Sequence, residues 1–146
     1  MTTSFDMERF IQAQNPVYSR VLTELSAGRK QSHWMWFIFP QVAGLGFSAM
    51  SQRYAIASRE EAETYLAHDL LGPRLIECTG LVLAVKGRTI NAIFGSPDDA
   101  KFRSSMTLFA SVSDKAIFGE AIARYFAGEP DRATTEILAA MDRKER

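Results

Sequence analysis

Along this chain, residues that start and stop helices punctuate apolar residues spaced three and four apart, and no two alternating runs are joined by a hairpin turn. That pattern disfavours every sheet architecture. Asp6 stands ahead of Met7, Phe10 and Ile11, where it can cap a short helix. Asn15-Pro16 offers a cap and a first-turn proline for Tyr18, Val21, Leu22 and Leu25, and Gly28 can end that helix. Ser58-Arg59-Glu60-Glu61 reads as a capping box opening a helix to about Leu71, before Gly72-Pro73 breaks or restarts it. Arg74 to Lys86 carries Leu75, Ile76, Val82 and Leu83 on one face. Ser96-Pro97-Asp98-Asp99 is a cap, a proline and two acids suited to the positive end of a helix dipole; Phe102, Met106 and Phe109 follow. Ser113 can cap a helix striped with Phe118, Ala121, Ile122, Tyr125 and Phe126 and ended by Gly128 and Pro130. Asp131 can cap a last one carrying Ile137, Leu138 and Met141.

The pattern predicts an all-α fold: one compact domain over residues 1–146, a bundle of about six or seven short helices, with a solvated tail at 142–146. Trp34 to Phe39 or Leu81 to Val85 could add one minor strand, because a short apolar run has no decisive period.

Composition narrows the function classes. Apolar residues make up 47% and charged residues 23%, as in an ordinary globular domain. Lys plus Arg is 17 and Asp plus Glu is 17, so no bulk positive field draws in nucleic acid. The single cysteine, Cys78, excludes an intrachain disulfide and fits a reducing compartment. The opening MTTSFDMERF lacks the apolar stretch of a signal peptide, and no apolar run approaches the about 20 residues of a membrane span. A cytoplasmic protein with no membrane partner is expected.

Most familiar chemistries find no support. His33 and His68 stand far apart, with no HExxH and no second cysteine, so no metal site is expected. Gly44-Leu45-Gly46 lacks the third glycine of a dinucleotide turn, no phosphate-loop motif occurs, and no cofactor is expected. No GxSxG elbow is present, and Cys78 among Leu75, Ile76 and Leu81 reads as a small buried hydrophobe. The Glu60, Glu61, Glu63 and Asp98, Asp99 clusters are explained by helix dipoles.

Two segments remain. In GRKQSHWMWFIFPQ, Gly28 to Gln41, the aromatics Trp34, Trp36, Phe37 and Phe39 are bracketed by Arg29, Lys30, Ser32, His33 and Gln41. The apolar half reads as core. The polar brackets beside aromatic faces suit a planar or anionic ligand, since rings stack while cations and amides hold phosphate or carboxylate. In DDAKFRSSMTLF, Asp98 to Phe109, Lys101, Ser104 and Ser105 flank the apolar stripe and could grip an anion, or be a solvated lysine with two serines bonded back along the helix.

GRKQSHWMWFIFPQ, GLGFS, YLAHDLLGPRLIEC and IFGSPDDAKFRSSMTLF together resemble the signature blocks of the bacterial family known as domain of unknown function 1810, from about Phe10 to Phe126. The resemblance implies a small helical cytosolic protein with no established activity. The label calpastatin, attached to some members, implies a long disordered inhibitor, which this composition does not support. The family blocks fall on Arg29, Lys30, Ser32, His33, Trp34, Trp36, Pro40 and Gln41. They also fall on Tyr54, Tyr65, His68, Lys101, Ser104, Ser105, Met106 and Thr107. Asp69 replaces the proline that often follows the third block's histidine.

These readings combine into one expectation: a pocket between the Arg29–Gln41 block and the Lys101–Thr107 helix, taking a small anionic or nucleotide-like ligand. Ser32 and Tyr54 are counted with it. His33 is the natural general acid–base candidate, with an unperturbed pKa of about 6.5. The alternative is a non-enzymatic interaction or structural module, with the aromatics forming core or a homodimer seam.

Overall fold

The computed structural model describes residues 5–144 and is all-α, with no strand among them. Ten helices follow in order: α1 (Glu8–Gln14), α2 (Tyr18–Ser26), α3 (Met35–Ile38), α4 (Ala49–Arg53), α5 (Arg59–Ala67), α6 (Leu71–Ala84), α7 (Ile90–Phe94), α8 (Asp98–Val112), α9 (Ala116–Phe126) and α10 (Arg132–Lys144). The excess over six or seven is α3, α4 and α7. Each is only four or five residues long, too short for a helical period to register. Both candidate strands are helical: Trp34–Phe39 forms α3 and its caps, and Leu81–Ala84 completes α6. The one trace of sheet is a parallel bridge, Val42 to Ile56, where Ala43 N–H donates to Ile56 O at 2.8 Å and Ile56 N–H to Gln41 O at 2.9 Å.

Several expected helix ends stand. Ser58 Oγ accepts from Glu61 N–H, and Asp131 Oδ2 accepts from both Thr134 N–H and Thr134 Oγ. Gly28 has φ 71° and its N–H closes on Leu25 O, which ends α2 as a left-handed glycine should. Others move. Asn15 and Pro16 lie before α2, which Val17 opens without a side-chain cap. α5 stops at Ala67, because His68 Nδ1 accepts from Leu70 N–H and Leu71 N–H and so starts α6 early; Gly72 and Pro73 fall in its first turn. Pro97, not Ser96, precedes α8, with Asp98 and Asp99 in the first turn. Ser113 Oγ accepts from Lys115 N–H, and α9 begins after Lys115. Residues 142–144, read as tail, continue α10, and Asp142 Oδ1 takes Arg59 Nε at 2.8 Å.

α8 is the axis. It packs against α5, α7, α9 and α10, while α6 lies against α2, α5 and α9. Phe102 and Phe109, on the buried face of α8, join two aromatic clusters. Phe39 meets Phe102 edge-on at 5.0 Å and Phe94 at 5.8 Å, and Tyr65 meets Phe109 at 5.5 Å. Such pairs add about 0.5–1.5 kcal/mol each beyond the area they bury. Among the described residues, the buried polar side chains other than Ser105 reach the core in company. Gln14 Nε2 donates to Phe37 O at 2.7 Å and to the Tyr65 hydroxyl at 3.0 Å, and Gln14 Oε1 accepts from Arg74. Arg9 pairs with the buried Glu61 carboxylate at 3.1 Å. Cys78 is buried, and burial pushes its thiol up to about 12, which fits an inert hydrophobe.

Candidate functional site

The Gly28–Gln41 block divides at Trp34. Its first half is tied down by a residue that the sequence pattern gave no reason to single out, Glu24 on α2. The Glu24 carboxylate accepts from Gln31 N–H (2.7 Å), Ser32 N–H (2.9 Å), Ser32 Oγ (2.5 Å) and Trp34 Nε1 (3.0 Å). Burial alone would raise its pKa, but these donors together outweigh that and hold it at about 2. Ser32 and Trp34 are therefore structural. Trp34 is fully buried, with its one polar atom satisfied by Glu24.

Lys30 is structural as well. Its ammonium lies 2.8 Å from Asp98 Oδ2 and 5.1 Å from the centre of the Trp34 ring, which fastens the turn before α3 to the start of α8. Asp98 Oδ1 stands 3.8 Å from the Lys101 ammonium, which lies 5.4 Å over the half-buried Trp36. A chain of charge and aromatic faces thus runs from Lys30 through Asp98 and Lys101 to Trp36. Lys101, a quarter exposed, is its loosest member.

That chain ends at two adjoining cavities. The inner one, about 10 Å³, is a slot between Trp36, Gln41, Gly46, Ser51 and Tyr54, with room for about one water. The outer one, about 240 Å³, is a groove lined by Gln41, Gly46 and Ser51 on one side. Pro97, Ala100, Lys101 and Ser104 line its α8 side, and Asp131 and Ala133 the start of α10. Gly46 is required here, since a Cβ on it would stand 2.7 Å from Ser51 Cβ and Oγ. Thr107 Oγ accepts from Asp131 N–H at 2.8 Å, holding the start of α10 against α8. Two long helices therefore begin at one groove, their positive poles facing Asp98 and Asp99 in the first turn of α8 and Asp131 at the start of α10.

Of the expected site residues, Trp36, Gln41, Tyr54, Lys101 and Ser104 line these cavities. The Gln41 side-chain amide makes no hydrogen bond among the described residues. Ser104 Oγ donates to Ala100 O at 3.1 Å, and the Tyr54 hydroxyl accepts from Arg53. The others lie elsewhere. Ser105 is fully buried, its hydroxyl without a partner among the described residues. Arg29 and His33 are exposed on the α2–α3 turn and line neither cavity. His68 serves as the start of α6. Sequence reasoning missed Ser51, Gly46, Asp98 and Asp131 as members of this region, and also Phe47. That residue, on the loop walling both cavities, is the one large apolar side chain strongly exposed among the described residues, at 83%. The GLGFS block was the available signal.

Fold and site together define a small helical protein with a groove where the starts of α8 and α10 meet a glycine-rich loop. The chain belongs to the family described as protein of unknown function (DUF1810), whose model matches residues 4–138. It is similar to the conserved hypothetical protein Rv1873 from Mycobacterium tuberculosis, known from a crystal structure at 1.38 Å. The two share 58% identity over 92% of this chain and 97% of that one, with a TM-score of 0.92. No curated protein matches the chain. No helix among the described residues is long and apolar enough to cross a membrane, and no group of His, Cys, Asp and Glu among them could hold a metal ion.

Proposed function

We propose that this protein binds a small anionic molecule in the outer groove. The observation that carries the reading is the convergence of the α8 and α10 starts with the Lys101 ammonium and the unpartnered Gln41 amide on one cavity of about 240 Å³. An anionic group would lie against Lys101, drawing it from its long contact with Asp98. Gln41 and Ser51 would supply directional hydrogen bonds. A planar body, as in a nucleotide, would find apolar surface on the Gly46–Phe47 loop, and the inner slot could take a single small polar substituent. This reading concerns binding and gives His33 no acid–base role.

The test is a thermal-shift screen against nucleoside phosphates, sugar phosphates, inorganic phosphate and small carboxylates, with Lys101→Ala and Gln41→Ala in parallel. A ligand at 100 times its dissociation constant stabilises by about 2.7 kcal/mol, an easily seen shift. A shift in the wild type, lost in both variants, supports the reading. A shift retained in both places the ligand elsewhere, and no shift across the panel removes the anionic-ligand reading.

A further inference from the structure

The opposite end of α8 has a groove of its own. The last residue of α5, Ala67, and the last of α8, Val112, face each other across a cavity of about 530 Å³. It continues through the shared residues Leu66, Ala67 and Lys115 into a second of about 260 Å³ beside the start of α6. Leu66, Ile76 and Val112 form an apolar floor, each packed on the core and half-open to the groove. Gly72 lets α6 approach α5 so closely that a Cβ there would lie 2.1 Å from Leu66 O.

The rim is acidic. Glu63, Asp69 and Asp114 line it, and none makes an ion pair or side-chain hydrogen bond among the described residues. Lys115 is the one lysine or arginine among the lining residues. The carboxyl ends of α5 and α8 meet here the amino ends of α6 and α9, so the helix dipoles offset one another and the acidic character rests on the three carboxylates. An apolar trough rimmed by three unpaired carboxylates is complementary to a chain that buries apolar side chains while presenting cations to the rim.

We propose that this groove docks a segment of a partner protein built of apolar and basic residues, its Lys or Arg side chains pairing with Glu63, Asp69 and Asp114. The inference is independent of the ligand reading, because it uses no residue of the other groove.

The experiment is fluorescence anisotropy at low salt with a labelled amphipathic Leu/Lys peptide and a matching Leu/Glu peptide. Three forms of the full chain are compared: wild type, the rim variant Glu63→Gln/Asp69→Asn/Asp114→Asn, and a control with the same charge change elsewhere, Glu8→Gln/Glu120→Gln/Glu136→Gln. Circular dichroism melts confirm that each form is folded. Amide shifts in an ¹H–¹⁵N spectrum locate the peptide. The wild type is expected to bind the Leu/Lys peptide, with shifts at Leu66, Ala67, Ser113 and Lys115, and to leave the Leu/Glu peptide free. The rim variant should lose about tenfold in affinity, as expected for three exposed pairs, and the control should lose little. Equal losses in the two variants would mean bulk attraction and overturn the proposal, as would equal binding of the Leu/Glu peptide or no binding of either. Concentration-dependent shifts at the same amides without peptide would make a second copy the occupant and overturn it too.

Discussion

The two ends of α8 differ in how their charges are held. At the amino end, Lys30 is bound to Asp98, Asp98 reaches Lys101, and Asp131 caps α10. At the carboxyl end, Glu63, Asp69 and Asp114 stand on the rim with no partner among the described residues. A charge tied into the fold positions its neighbours, so changing it costs stability. A charge left free costs the fold little and remains available to something outside it. The charges of the amino end are tied to one another, with one loose member, Lys101, whereas those of the carboxyl end stand on an open surface.

The sharpest way to break this contrast is Glu24→Ala, which strips the acceptor from four donors behind the amino-end groove. It should destabilise by about 3 kcal/mol in chemical denaturation; a loss like that of a surface mutant would show that the turn before α3 is not anchored through Glu24. Next comes Lys30→Met, which leaves a largely buried Asp98 with only its distant Lys101 and should cost about 2 kcal/mol.

Acid gives the third test. The Glu24 carboxyl titrates at about 2 in the folded protein against an ordinary 4.5. Its contribution is complete above about pH 4.5 and lost as pH falls toward 2. Solvent screening at its rim trims the effect to on the order of 2 kcal/mol. Melts from pH 6 to pH 2 should show this loss in the wild type and a weaker one in Glu24→Gln. Gly46→Ala should cost about 1–2 kcal/mol and weaken by about tenfold any ligand found in the screen, since the new methyl would stand 2.7 Å from Ser51 Cβ and Oγ and must displace Ser51, which lines the groove. Smallest of all, Glu63→Gln and Asp114→Asn should each shift stability by under about 0.5 kcal/mol. A larger loss at either would mean that the carboxyl-end rim serves the fold after all.

Much of this molecule could be read residue by residue. The all-α class, the caps at Ser58 and Asp131, the glycine turn at Gly28 and the buried stripe of Phe102, Met106 and Phe109 are consequences of local geometry, and local geometry is written in adjacent residues. The same logic failed where local signals are weak. α3, α4 and α7 are too short to show a period, and His68 began α6 with a ring nitrogen where a proline break was expected.

The site was legible only in part for a related reason. Sequence drew attention to Trp36, Gln41 and Lys101, because aromatic, amide and cationic groups are the usual means of holding a ligand. Which of the neighbouring polar residues serve the fold depended on partners far along the chain. Glu24 claims Ser32 and Trp34, Asp98 claims Lys30, and packing hides Ser105 while leaving His33 and Arg29 outside both cavities. Hydrogen bonds and ion pairs act over a few ångströms of space, whatever the separation along the chain. The sequence by itself therefore determined the helices and their buried faces, while the tertiary structure alone decided which charges were already engaged and which stood free.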